Sequence, residues 1–282
     1  MIDRLAVLGL GLLGGSVAKG ARAHGLAREI VAIGRRRESM EAALHDGVVD
    51  AITTEVDEGL AGAEFCVLAT PVATLAAQLD LVWRAAPPEL IITDVGSTKA
   101  AIVQVAEHLA RSRPLAFVGS HPMAGSERSG YGVARADLFK GALVVLTPTD
   151  ASDPRIVKRV WTFWEALGAR VTTLDPATHD RAVAAISHLP HLVADALVDA
   201  VLRMDRQFLG VAGAGFRDTT RIAASSPRVW REIFQENRAA LGEALGAFRS
   251  ALDELERLLD GGDPVAVERE LDRIKRARES VA

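Results

Sequence analysis

The chain has 282 residues, room for one large domain or two of ordinary size. Hydrophobic residues make up 49% and charged residues 25%, a normal globular balance, and the formal net charge of -4 leaves no basic excess to pair with nucleic-acid phosphates. A single cysteine, Cys66, excludes an internal disulfide. No signal-like segment opens the chain and no stretch approaches the roughly 20 apolar residues of a membrane span, so a cytoplasmic protein with no membrane or nucleic-acid partner is expected.

Taken in order, the chain alternates short β-rich runs with helical stretches through residue 174. The expected strands are Leu5–Leu8, Ile30–Ile33, Phe65–Ala69, Leu90–Val95, Ala116–Gly119, Leu143–Thr147 and Arg170–Leu174. Most are near-continuous apolar runs, as when helices cover both faces of a sheet. Ser16–His24, Val72–Ala86, Lys99–Ala110 and Pro154–Leu167 read as the intervening helices. This alternation predicts an α/β fold, a Rossmann-type doubly wound sheet.

The first strand runs into Gly9-Leu10-Gly11-Leu12-Leu13-Gly14 and then a helix. Gly9 permits the turn, Gly11 lets the backbone approach a pyrophosphate, and Gly14 lets the helix pack close to the sheet. Strand, loop and helix together make this a dinucleotide-binding motif. The second strand ends in Gly34-Arg35-Arg36-Arg37, with no acid at its tip for the ribose hydroxyls. Arg35 and Arg36 suit a 2′-phosphate, so NADP is expected ahead of NAD. The other reading of those arginines is a solvated helix start.

After residue 174 no strand is expected. Asp175-Pro176 fits an N-cap and first helical position, a helical stretch runs to about Met204 with a kink at Pro190, and Pro227–Leu259 and Pro264–Glu279 follow. The division is therefore a dinucleotide-binding domain, 1–174, and an all-helical domain, 175–282, with a homodimer formed through the amphipathic helices.

Four further segments stand out: Asp94-Val95-Gly96-Ser97-Thr98-Lys99, Gly119-Ser120-His121-Pro122-Met123-Ala124-Gly125-Ser126-Glu127, Ser187-His188-Leu189-Pro190-His191, and Gly215-Phe216-Arg217-Asp218-Thr219-Thr220-Arg221. In their order and wording they resemble the prephenate/arogenate dehydrogenase family over essentially the whole chain. The resemblance implies a Rossmann domain, a helical dimerisation domain and an active site between them. It implies NAD(P)-dependent oxidative decarboxylation of prephenate or arogenate in tyrosine biosynthesis. His121 would take the ring-hydroxyl proton as hydride leaves, and Ser97 would hold His121 and the nicotinamide in register. Arg221 would pair with a substrate carboxylate, and Glu127 and Asp180 would form a charged gate with Arg221. His191 and His188 would line the substrate site, with Ser126, Gly215 and Trp230 nearby. Leu12, Leu13, Thr70 and Pro71 join the glycines as cofactor contacts. A fused mutase or regulatory domain of the kind some such relatives carry is not expected.

The residue chemistry is compatible with those roles. Histidine exchanges protons near neutral pH, and arginine grips carboxylates in a two-pronged geometry. Aromatisation with loss of carbon dioxide is downhill, so the protein chiefly orients the reactants. Other readings stand beside these. His121 could be a structural loop histidine and Arg221 a helix cap. His188, His191 and Asp195 have metal-compatible spacing, but no cysteine or acidic cluster completes a coordination sphere, so no metal is expected. Lys99 could simply start a helix. A β-hydroxyacid dehydrogenase would need a catalytic lysine in the helical domain, where Lys275 is the only lysine. A dinucleotide-sensing module would leave His121 and Arg221 without a purpose.

Overall fold

The computed structural model describes residues 1–126 and 128–280. Its first lobe is built from β1 (Ile2–Leu8), α1 (Leu12–Ala23), β2 (Ala27–Ile33), α2 (Glu38–His45), β3 (Ala51–Thr53), α3 (Val56–Leu60) and β4 (Phe65–Leu68). It continues through α4 (Leu75–Ala85), β5 (Ile91–Asp94), α5 (Ala100–Ala110), β6 (Ala116–Pro122), β7 (Leu143–Thr147), α6 (Pro154–Ala166) and β8 (Arg170–Thr173). The strands form one eight-stranded sheet in the order β3-β2-β1-β4-β5-β6-β7-β8. It is parallel except at the β6–β7 pair, where His121 lies opposite Val145. Two apolar cores lie on the sheet's two faces, one centred on Val7, Phe65, Phe139 and Trp164, the other on Leu68, Leu79, Trp83 and Ile92. The unbroken apolar character of β4 follows from burial on both faces.

The second lobe is helical: α7 (Pro176–Val183), a π-helical turn (Ala184–His188), α8 (Leu189–Met204), α9 (Ala214–Thr220), α10 (Pro227–Glu236), α11 (Arg238–Asp260) and α12 (Pro264–Glu279). Asp175 caps α7, accepting the Thr178 N–H at 3.0 Å, with Pro176 at the first helical position.

Several local details depart from the sequence expectation. The strand β3 and helices α2 and α3 were not anticipated. The kink expected at Pro190 is a π-helical turn just before it. Proline lacks the N–H that would close a regular turn and its ring crowds the carbonyl four residues back, so the turn widens. The single helix expected over Pro227–Leu259 breaks at Asn237, whose backbone leaves helical geometry at φ -106° and ψ 29°. Pro176–Met204, although it carries His179, Asp180, Arg181 and Asp195, has a segment apolar enough to span a membrane by length and composition alone.

Candidate active site between the lobes

The glycine loop lies where the strand order reverses, at the carboxyl ends of β1 and β4, the crevice in which such sheets gather ligands. Gly9 adopts φ +97°, and a Cβ there would meet the Ala69 carbonyl oxygen at 2.6 Å. A Cβ on Gly14 would lie 1.9 Å from the Gly9 carbonyl oxygen, so only glycine lets α1 sit this close to the strand. A Cβ on Gly11, by contrast, would meet nothing within 4 Å. Gly11 caps α1 without a side-chain acceptor, so the first N–H groups of Leu12 and Leu13's turn face an open cradle. Beside it the Thr70 hydroxyl oxygen is buried with no partner among the described residues. Pro71 next to it is exposed. A cradle without side chains, aligned N–H groups and an unsatisfied hydroxyl fit a pyrophosphate-bearing dinucleotide.

At the tip of β2, Gly34 is hemmed in by Met40, whose sulfur would sit 2.8 Å from an added Cβ. Arg35 and Arg36 are exposed and have no acidic partner among the described residues, whereas Arg37 donates to the Ile52 carbonyl at 3.2 Å.

The loop after β5 is tied to β6 by a buried polar network. Asp94 accepts the Gly96 N–H through Oδ2 at 2.8 Å and the Ser120 N–H through Oδ1 at 3.0 Å. Lys99, fully buried, pairs with Asp94 and donates to the Ser120 carbonyl at 3.0 Å. Burial pulls the Lys99 pKa down, and Asp94 and Asp180 only partly oppose it. The Thr93 hydroxyl donates to the Val118 carbonyl at 2.7 Å, and the Ser120 hydroxyl accepts from Trp164 Nε1 at 3.0 Å. The network fixes the segment that presents His121. Ser97 is half-buried, and among the described residues its hydroxyl makes no hydrogen bond to His121.

His121 sits near the carboxyl end of β6 and is 9% exposed. Its Nδ1 lies 2.9 Å from His179 Nε2, and His179 Nδ1 lies 2.8 Å from Asp180 Oδ1. Burial first, then the neighbouring basic groups His179, Lys99 and His188, which oppose a further positive charge, hold the His121 pKa well below its ordinary value of 6.5, so the imidazole is neutral. Asp180 comes from the helical lobe, yet it caps a helix of the sheet lobe: Oδ1 accepts the Lys99 N–H at 2.8 Å and Oδ2 the Ala100 N–H at 2.9 Å. Burial raises the Asp180 pKa, but the hydrogen bonds from His179, Ala100 and Lys99 outweigh it and the net shift is downward. The structure thus places Asp180 on the α5 terminus and not against Arg221.

The π-helical turn brings His188 and His191 inward, 1% and 2% exposed. The Asn237 amide donates to the Asp180 carbonyl at 2.7 Å and meets His188 Nδ1 at 3.1 Å. An amide N–H can only donate, so neutral His188 carries its proton on Nε2. Burial depresses the His188 pKa to about 4, Asp180 opposing and His179 and His191 assisting. His191 stacks on Trp230 with ring centroids 3.5 Å apart, and its buried Nδ1 has no partner among the described residues. A cavity of about 640 Å³ opens there, lined by His191, Asp195, Trp230, Phe234 and Arg238. Arg221 and Gly215 are exposed, Arg221 in the 3-10 turn Arg221–Ala224 and without an ion pair among the described residues. Ser126 is exposed and its hydroxyl accepts the Arg128 N–H at 3.0 Å; Glu127 lies outside the described residues.

Three groups central to this arrangement carry no motif weight in the sequence: His179, Asn237 and, as an ion-pair partner, Lys99. The only signal was the His179-Asp180 dipeptide near the start of an amphipathic helix.

Comparison with known proteins places this geometry. Residues 17–173 match the family described as prephenate dehydrogenase, nucleotide-binding domain, and residues 175–272 match prephenate dehydrogenase, dimerization domain. Prephenate dehydrogenase of Bacillus subtilis is 35% identical over 267 residues, which span 93% of this chain and 72% of that protein. The crystal structure of prephenate dehydrogenase from Aquifex aeolicus, in complex with hydroxyphenyl propionate and NAD+, superposes with a TM-score of 0.93 at 33% identity, covering 100% of this chain and 99% of that one. Arogenate dehydrogenase from Synechocystis gives 0.87 at 32% identity, covering 99% and 100%.

Proposed function

This chain belongs to the prephenate dehydrogenase family, and from that premise we propose how its own residues carry the reaction. The enzyme is an NAD(P)-dependent oxidoreductase of tyrosine biosynthesis that oxidatively decarboxylates a cyclohexadienol, prephenate or arogenate. The residue roles below, the domain limits of 1–174 and 175–282, and the preference for NADP are our reading.

The nicotinamide, when bound, accepts hydride from the ring carbon that bears the hydroxyl. His121 accepts the hydroxyl proton as that carbon becomes a carbonyl. Breaking the ring–carboxylate bond then sends its electron pair into the ring and releases carbon dioxide. The proton held by His121 returns to the phenolic oxygen, so protons balance. The observation that carries this reading is the neutral, buried His121 near the carboxyl end of β6, in the same sheet as the dinucleotide cradle and separated from β4 by β5 alone.

Ser97 borders the same loop and sets the nicotinamide against His121. His188 offers an Nε2 proton to the substrate, and His191 with Trp230 forms an aromatic wall. Arg221, with Gly215 and Ser126, belongs to the carboxylate end of the site. Gly9, Gly11, Leu12, Leu13, Gly14, Thr70 and Pro71 hold the pyrophosphate region, and Gly34, Arg35 and Arg36 meet a 2′-phosphate. A homodimer through the helical lobe, in the cytoplasm, completes the reading. Leu202, Met204, Phe208, Val211, Leu252 and Leu259 are exposed on that lobe, an apolar surface suited to a second copy.

The test is a paired assay of the purified enzyme with prephenate and arogenate, each with NAD+ and NADP+. Reduction of nicotinamide with matched release of carbon dioxide is expected for at least one pair. No turnover with any pair sinks the reading.

A further inference from the structure

His179 is wholly buried, lies on the helical lobe, and bridges His121 to the Asp180 carboxylate. Its two ring nitrogens are both engaged, and hydrogen-bond accounting decides which one bears the proton. Asp180 already takes two backbone N–H groups and, as a carboxylate, can only accept. His179 Nδ1 must therefore donate to it. Neutral His179 is then left with a bare Nε2, which can only accept, and the partner at that position is His121 Nδ1.

We infer that His179 and Asp180 act as a tautomer lock, holding the His121 proton on Nδ1 so that Nε2 presents a bare lone pair to the substrate hydroxyl. The inference rests on the reading of His121 as the base. The opposite tautomer of His121 would need a proton on His179 Nε2. With neutral His179 that sets the Nδ1 lone pair against the Asp180 carboxylate at 2.8 Å in a buried site, where no water relieves the repulsion. The other route to that tautomer is a doubly protonated His179. Once His121 has taken the substrate proton, the same chain stabilises the imidazolium through Nδ1–H. His179 is thus a positioning residue acting through His121, and Asp180, held as a carboxylate by the α5 terminus, orients it. The groups facing His121 are His179 of α7, Lys99 at the start of α5, and His188; Asp180 reaches it only through His179.

The experiment uses the full-length enzyme labelled with 15N-histidine at neutral pH, with His121→Asn to assign the base. In wild type, His121 is expected to show its proton on Nδ1 and His179 to be neutral with its proton on Nδ1. In His179→Leu, His121 is expected to show mixed tautomers. Kinetically, His179→Leu should lower kcat by about 100-fold with the cofactor KM changed by less than about threefold, as when a base loses its orienting partner. His179→Gln, whose amide oxygen reaches the Nε2 position, should recover about tenfold of that loss. A wild-type His121 with its proton on Nε2, or a doubly protonated His179, overturns the lock. So does a Leu variant within about twofold of wild-type kcat, or a Gln variant no better than Leu. If wild type turns over neither prephenate nor arogenate, the functional reading fails while the nitrogen spectra still decide the tautomer.

Discussion

His121 Nδ1 lies 2.9 Å from His179 Nε2, a bond that joins the sheet lobe to the helical lobe across 58 residues of chain. The side chain that reads most clearly as the base is therefore oriented from inside the protein, and its other nitrogen is left for chemistry.

Replacing that base should show in kcat. His121→Asn is expected to lower kcat by about 10²–10⁴-fold while cofactor affinity stays near wild type. Stopped-flow turnover and cofactor titration check it, and near-normal kcat returns His121 to a structural role. Arg221→Ala offers the contrast: its effect should fall mainly on substrate KM, because it removes a charged clamp and not a proton acceptor.

The buried histidines predict acid sensitivity. Above pH 6.5 His188 is neutral in both native and unfolded chains and costs nothing. Below 6.5 the unfolded chain takes up a proton that native His188 refuses until about pH 4, so stability falls through that window. The full loss from His188 alone is roughly 3 kcal/mol, and His121 and His191 shift in the same direction. Urea unfolding at pH 7.5, 6 and 5 should show declining stability, with a shallower decline in His188→Gln. A flat profile contradicts the burial of these groups.

Lys99 and Asp94 form a fully buried ion pair. Lys99→Met should destabilise the protein by about 3–5 kcal/mol, since it strands the Asp94 charge. Lys99→Met with Asp94→Asn should be less damaging than Lys99→Met alone. Denaturant midpoints of the three proteins decide it, and a cost of Lys99→Met within about 1 kcal/mol would show the pair to be dispensable.

The arginines after β2 predict cofactor choice. Wild type should favour NADP+ over NAD+ in kcat/KM, and Arg35→Ala should reduce that ratio by about 10- to 100-fold, the worth of a charge-assisted pair to a 2′-phosphate. A wild-type preference for NAD+, or an unchanged ratio, removes Arg35 from the 2′-phosphate site. The reaction would stand either way, because it rests on segments from Ser97 onward.

Much of this was legible in the sequence because its signals are local. The glycine loop, the apolar runs of β1, β2, β4 and β5, and the Asp175-Pro176 start of α7 each depend on neighbours a few residues away. What escaped depends on packing. β3 has three residues, too few to show alternation, and α3 contains Gly59, which reads as a breaker but is small because Ile33 would crowd a Cβ at 2.4 Å. Asp180 carries a charge that suggests a gate, yet its partners are backbone N–H groups about 80 residues away, to which sequence is silent. Asn237 reads as one more helical residue until His188 and the Asp180 carbonyl are seen to claim its amide.

The Asp180 cap on α5 also ties the two lobes together. Swinging the lobes apart along the α5–α7 seam would strip the Lys99 and Ala100 N–H groups of their acceptor and leave the carboxylate with His179 as its remaining donor. A hydrogen bond to a charged group is worth about 1.5–3 kcal/mol net, so the two bonds bias the seam toward its closed arrangement. One carboxylate thus holds the start of α5, the helix that follows the Ser97 loop, at a set spacing from α7, the helix that carries His179.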